Sequence, residues 1–183
     1  MKRLFIGIPV SEEVKEKIKP VVKALQETGN SFNFVSLNNL HLTLKFLGEV
    51  EEKKIPEIME IIGKVARKQA SFEISLQDMG TFPNKRMIKV IWIGIISEAL
   101  IKLMKELEKE LQGIRRNEYS EEVPHLTIAR VKMVKDRKKL QEILKEYENT
   151  VFGSMLVNQL FLYESTLTPK GPTYKIIQEF ELV

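Results

Sequence analysis

The sequence has no cysteine, two histidines and one tryptophan among its 183 residues. The absence of cysteine excludes thiol nucleophiles, zinc–thiolate centres and disulfides together, and it permits a reducing compartment. The cytoplasm is the expected location. Two histidines that are far apart in sequence lack the local spacing of a metal-binding pair, so no metal and no cofactor is expected, and no glycine-rich phosphate loop is present. Long apolar runs are also missing. Leu4 to Ile8 follows Met1-Lys2-Arg3 as an h-region follows the start of a signal peptide, but Pro9 and Ser11-Glu12-Glu13 cut it short, and it reads as a first strand. Nothing approaches the roughly 20 apolar residues of a membrane-spanning helix, and no membrane partner is expected.

What is present suffices for a folded domain: 43% of residues are hydrophobic, enough for a sizeable core at this length. The net charge of +4 is mildly basic. It suits an anionic partner but falls short of the charge of a nucleic-acid coat protein. Most Lys and Glu residues alternate at i,i+4 spacings typical of solvated helix faces.

Both histidines begin the same tripeptide, His41-Leu42-Thr43-Leu44 and His125-Leu126-Thr127-Ile128. In a strand, residues two apart share a face, which places an imidazole that titrates near neutral pH beside a hydroxyl able to hydrogen-bond an anion. One such tripeptide is ordinary. Use of both histidines in the same tripeptide is not explained by β-propensity, which Val, Ile or Tyr would satisfy better.

The pattern around them repeats. A strand at Leu4–Ile8, a helix from Ser11 to about Thr28-Gly29, a short strand at Phe32–Val35, the first His-Leu-Thr strand at Leu40–Leu47 closed by Gly48, a helix at Glu51–Lys68 and a strand at Phe72–Met79 are expected in the first half. Pro20 argues for a kink or early break in the first helix. Gly80 to Arg86 reads as a connection. The second half begins with a strand at Lys89–Ile95 and a helix from Ser97 to about Gln112-Gly113, followed by a polar connection and the second His-Leu-Thr strand. A helix at Asp136–Tyr147, strands at Val151–Val157 and Gln159–Tyr163, and a last strand at Tyr174–Leu182 complete it. Ile6-Gly7-Ile8 recurs as Ile93-Gly94-Ile95 after 87 residues, and the histidines recur after 84. So long a period is not a solenoid. The expected architecture is α+β, a single bilobal domain over 1–183 with halves near 1–80 and 88–165 and a C-terminal strand near 174–182. The two similar lobes are related by a pseudo-two-fold axis, and antiparallel sheets line a central cleft with helices outside. Such an axis brings His41 and His125 face to face. Two imidazoles on opposite sides of one group can take a proton from an attacking oxygen and give one to a departing oxygen, as in-line displacement at phosphorus requires.

Over nearly its whole length the sequence resembles the two-histidine (2H) phosphoesterases, and within them the RNA 2′,3′-cyclic phosphodiesterases once named 2′-5′ RNA ligases. The resemblance rests on Arg3-Leu4-Phe5-Ile6, Asn39 to Gly48, Gly80-Thr81-Phe82-Pro83, Pro124 to Arg130, Leu162-Tyr163-Glu164-Ser165 and Gly171-Pro172-Thr173-Tyr174. It implies a V-shaped cleft and metal-free opening of a terminal 2′,3′-cyclic phosphate on RNA to a 2′-phosphate. By the same resemblance His41 is the proton donor and His125 the proton acceptor, Thr43 and Thr127 hydrogen-bond the phosphate, and Arg130 adds charge. The expected partner is an RNA end or nucleotide bearing the cyclic phosphate, and the expected state is a monomer. The reverse reaction, 2′-5′ ligation, and a non-catalytic RNA- or nucleotide-binding module remain as alternatives.

Strict alternation puts Arg130 on the opposite face from His125 and Thr127, so its role needs a bulge, strong twist or strand end, and it puts Lys45 on the His41 face. Lys85 and Arg86 suit contact with an RNA strand or a solvated loop. Phe46, Phe82 and Tyr174 suit base stacking or a place in the core.

Overall fold

The computed structural model describes residues 1–114, 123–169 and 171–183. In chain order it contains β1 (Lys2–Pro9), α1 (Glu12–Glu27), β2 (Ser31–Phe34), β3 (His41–Val50), α2 (Ile55–Ala66), β4 (Phe72–Pro83), β5 (Ile88–Ile96), α3 (Glu98–Glu110), β6 (His125–Met133), α4 (Arg137–Glu146), β7 (Val151–Val157), β8 (Gln159–Thr168) and β9 (Gly171–Glu181). The polar connection expected before β6 lies mostly outside the described residues.

The helices begin where side chains can accept their free amides. The Ser11 hydroxyl accepts from Val14 N–H, that of Ser97 from Leu100 N–H, and the Asp136 carboxylate from Lys139 N–H. In α1, Val14, Ile18, Val21 and Leu25 form a fully buried stripe. Helix α1 runs on through Pro20, so the early break does not occur. Pro20 sits on the exposed side with Glu16, so the Glu16 carbonyl that loses its amide partner faces water.

Two antiparallel sheets result, one ordered β3-β1-β8-β9 and the other β2-β6-β5-β4-β7. Each contains one His-Leu-Thr strand. The sheets do not follow the sequence halves: β2 and β4 join the second sheet, and β8 and β9 join the first. The short turn from Pro83 to Ile88 makes β4 and β5 a hairpin, and hairpin partners share a sheet. The halves near 1–80 and 88–165 are therefore units of sequence, and each sheet draws on both.

One aliphatic core covers the helix-facing sides of both sheets, joining Leu4, Ile6, Ile91, Ile93, Leu126 and Ile128 to Val14, Ile58, Leu103 and Leu140 of the four helices. Each such side chain contributes about 2 kcal/mol by burial. A smaller aromatic cluster, Phe5, Phe161 and Tyr163 with Phe46 and Tyr174 against it, occupies the opposite face of the first sheet.

Two bulges decide what shares a face with each histidine. Gly7 pairs with Thr43 and Ile6 with Lys45, so Leu44 is the extra residue in β3. Trp92 pairs with Thr127 and Ile91 with Ala129, so Ile128 is the extra residue in β6. One extra residue reverses the alternation beyond it. Phe46 and Arg130 thereby return to the faces of Thr43 and Thr127. Lys45 turns into the core instead of lining the His41 face: it is 1% exposed, and its ammonium meets Glu108 of α3 at 2.5 Å.

Candidate active site

His41 opens β3 directly after a tight turn at Leu37–Asn39. Its Nδ1–H donates to the Asn39 carbonyl at 2.6 Å, which leaves Nε2 as the titrating nitrogen. The ring packs 4.7 Å from Phe5 and edge-on to Tyr174 at 4.9 Å, with Tyr163 at 6.2 Å. Burial in this aromatic setting lowers the His41 pKa from 6.5, partly opposed by the Asn39 carbonyl. Asn39 also donates its side-chain amide to the Pro172 carbonyl at 3.0 Å, tying the turn to the start of β9 and hence to Tyr174.

His125 opens β6 in the same way. Its Nδ1–H donates to the Val123 carbonyl at 3.1 Å, again two residues upstream. Phe82 meets the ring edge-on at 4.9 Å, and Trp92 lies at 6.2 Å. Phe82 belongs to β4, which runs on to Pro83 rather than ending at the expected Met79.

The strand registers lay out the rest. On the first sheet, Thr43 aligns with Gly7 and Phe161, and Phe46 with Phe5 and Tyr163. On the second, Thr127 aligns with Trp92 and Gly80, and Arg130 aligns with Val90 and Phe82 on one side and Asn33 on the other. Thr43 and Arg130 are exposed, and Thr127 is half-buried. Burial raises the Tyr174 pKa, while Arg130 from the second sheet and Arg3 from the first both act to lower it. Arg130 is thus within electrostatic reach of the tyrosine that packs on His41. The Arg3 guanidinium lies over the Phe46 ring at 4.9 Å, and burial with nearby Glu179 pushes Tyr163 up to about 12.

Of the residues singled out in sequence, His41 and Tyr174 are in contact, as are His125 and Phe82. Phe46 lies under Arg3. Lys85 pairs with Glu148 at 2.5 Å, and Lys45 is away from the site. Phe5, Tyr163, Trp92 and Arg3 are not among the site residues expected from sequence, although Phe5 and Gly7 alternate with the buried Leu4, Ile6 and Ile8, a pattern that places them on the other face. Among the described residues no three of His, Asp and Glu come together as a metal site. A groove of about 520 Å³ between α2 and β9, lined by Met59, Gly63, Arg67 and Phe180, reaches neither histidine.

The arrangement offers two imidazoles whose Nδ1–H is held by a backbone carbonyl, each with a threonine two residues on, and guanidinium groups at Arg130 of the second sheet and Arg3 of the first. Such a set can move protons at both ends of an in-line displacement while holding an anion.

The sequence model described as LigT like Phosphoesterase matches residues 8–92 and again 93–174. The chain is 39% identical to the RNA 2′,3′-cyclic phosphodiesterase of Methanocaldococcus jannaschii over 97% of this chain and 99% of that one. Its fold matches the crystal structure of TT0787 of Thermus thermophilus with a TM-score of 0.85 and 28% identity, covering 98% of this chain and 97% of the other. Escherichia coli LigT complexed with 3′-AMP matches with a TM-score of 0.75 and 26% identity, over 100% of this chain and 98% of that one.

Proposed function

The chain belongs to the LigT-like phosphoesterase family, whose repeat spans it twice, and on that premise we propose that it is an RNA 2′,3′-cyclic phosphodiesterase that opens the cyclic phosphate at an RNA 3′ end to a 2′-phosphate. The observation that carries this reading is the duplicated site: two histidines, each held through Nδ1 by the carbonyl two residues upstream, each followed by a threonine on the same face and a bulge. Full-length relatives named RNA 2′,3′-cyclic phosphodiesterase support the substrate, and a solved relative bound to 3′-AMP supports a nucleotide ligand.

In the proposed step His125 Nε2 takes a proton from water as the water oxygen attacks phosphorus. The bond from phosphorus to the ribose 3′ oxygen breaks, and His41 Nε2–H gives that oxygen its proton. Thr43 and Thr127 donate hydrogen bonds to the non-bridging oxygens, and Arg130 balances their charge. His41 must carry its proton when substrate arrives. Burial works against this, while the Asn39 carbonyl and the anionic phosphate work for it. No step calls for a metal ion or cofactor. Both motifs lie in one chain, so a monomer completes the acid–base pair, and we place it in the cytoplasm.

Incubation with a nucleoside 2′,3′-cyclic phosphate in excess chelator tests the reading. Sustained hydrolysis is expected. Binding without turnover would make the protein a binding module, and activity that needs an added divalent ion would overturn the metal-free chemistry.

A further inference from the structure

Beyond Arg130, the second sheet ends in a cluster of cations that the proposed acid–base chemistry does not use. The β4–β5 tip and the end of β6, residues 84–89 and 131–137, carry six Lys and Arg against the single Asp136, in a chain whose net charge is only +4. The lysines of α1 are matched differently: Lys15, Lys17 and Lys19 each meet a glutamate one turn away. Arg86, Lys89, Lys132 and Lys135 are exposed, and no carboxylate among the described residues pairs with them. Asp136 is engaged in capping α4 at Lys139 N–H.

The backbone beneath these charges is held. Asn84 accepts the amides of Arg86 and Met87, both at 2.9 Å, and Arg137 donates to the carbonyls of Lys85 and Arg86 at 3.3 and 2.5 Å. The buried Asn30 accepts the amides of Lys135 and Asp136 at 2.7 and 2.8 Å. The tip follows the row in which Phe82, Val90, Arg130 and the exposed Asn33 align, and register shifts just past that row leave Lys89 and Lys132 as extra residues of β5 and β6. At about 3.3 Å per residue, Lys132 lies on the order of 15 Å from Thr127, a span of a few nucleotides.

We propose that this end of the sheet binds the backbone phosphates of single-stranded RNA upstream of the reacting 3′ end, through Arg86, Lys89 and Lys132. The proposal rests on the reading of the reacting group as an RNA terminus. Unpaired cations on a fixed backbone neutralise phosphates and release counterions, which makes binding strongly salt-dependent.

The test is fluorescence anisotropy of a labelled RNA hexamer ending in a 2′-phosphate, titrated with the full chain and with the Arg86→Gln, Lys89→Gln, Lys132→Gln triple variant between about 50 and 200 mM salt. A nucleoside 2′-phosphate competitor gives the affinity of the terminal nucleotide alone. The wild type should bind the hexamer more tightly than the mononucleotide. The triple variant should lose that advantage, with a log–log salt slope flatter by about 2, at roughly 0.7 per lost phosphate contact, and unchanged turnover of a cyclic mononucleotide. Equal hexamer and mononucleotide affinities in the wild type, an unaltered slope in the variant, or equally effective competition by hexaglutamate would overturn the proposal. Slope loss in a protein that does not open cyclic phosphates would support the RNA track and sink the proposed reaction. Mononucleotide turnover without a hexamer advantage would do the opposite.

Discussion

The His41 and His125 strands share a tripeptide, a bulge one residue after the threonine, and a carbonyl anchor on Nδ1, yet their linings differ. After the bulge, the residue that returns to the histidine face is Phe46 on one side and Arg130 on the other. The residue turned into the core is Lys45, paired with Glu108, on one side and Ala129 on the other. Beside the threonine stands Gly7 on the first sheet and Trp92 on the second. The repeat places two imidazoles in equivalent backbone settings, and their different neighbours make the settings unequal. In the proposed reaction that inequality distinguishes the acid side from the base side.

The largest test of the comparison removes each histidine. His41→Ala and His125→Ala should each lower turnover of a cyclic nucleotide by about two to four orders of magnitude, the usual worth of a positioned proton-transfer group, with little change in thermal unfolding. A near-wild-type rate in one variant would show that the two sides are not partners.

The next test concerns the Lys45 side, which has no counterpart on the other strand. Lys45 is 1% exposed and Glu108 is 38% exposed. Glu108→Ala leaves an uncompensated buried ammonium and should cost about 3 kcal/mol, whereas Lys45→Met leaves a carboxylate that water reaches and should cost about 1 kcal/mol. Denaturant unfolding measures both, and the reverse order would mean the pair is not buried as described.

Two glycines probe the rows beside the threonines. A Cβ at Gly7 would meet the Leu42 carbonyl oxygen at 2.8 Å, while one at Gly80 would meet the Trp92 ring at 2.2 to 2.7 Å. Gly7→Ala must displace backbone in the β1–β3 pair and should lose about 1–3 kcal/mol. Gly80→Ala can move the indole instead. Trp92 is the sole tryptophan, so a red shift of its emission in Gly80→Ala, absent in Gly7→Ala, reports the difference.

The smallest effect is on stability against pH. Burial depresses the His41 pKa from 6.5, so the unfolded chain binds more protons than the folded one between the lowered value and 6.5. This contribution is fully present above 6.5 and is lost as pH falls through the folded value. Unfolding midpoints measured from pH 8 downward should decline over that window, and less so in His41→Asn.

Much of this is legible in the sequence because it follows from periodicity: the strand and helix order, and the two histidines with their threonines. What is not legible follows from single-residue events. Alternation places Lys45 beside His41 and Arg130 away from His125, and one bulge in each strand inverts both. The consecutive buried pairs Leu44-Lys45 and Ile128-Ala129 record those bulges, but a lysine in such a pair does not look buried in sequence. Phe82 reads as part of a connection because Gly80 and Pro83 flank it, although β4 extends through both. Pro20 reads as a helix breaker, and its position on the wet side of α1 spares the helix.

In the proposed reaction the two histidine sides are unequal and bind the ribose in one direction. Phosphorus NMR of the product from a nucleoside 2′,3′-cyclic phosphate, with the wild-type protein in chelator, tests it most directly. The 2′-phosphate alone is expected. A 3′-phosphate, or a mixture of the two isomers, would contradict the claim.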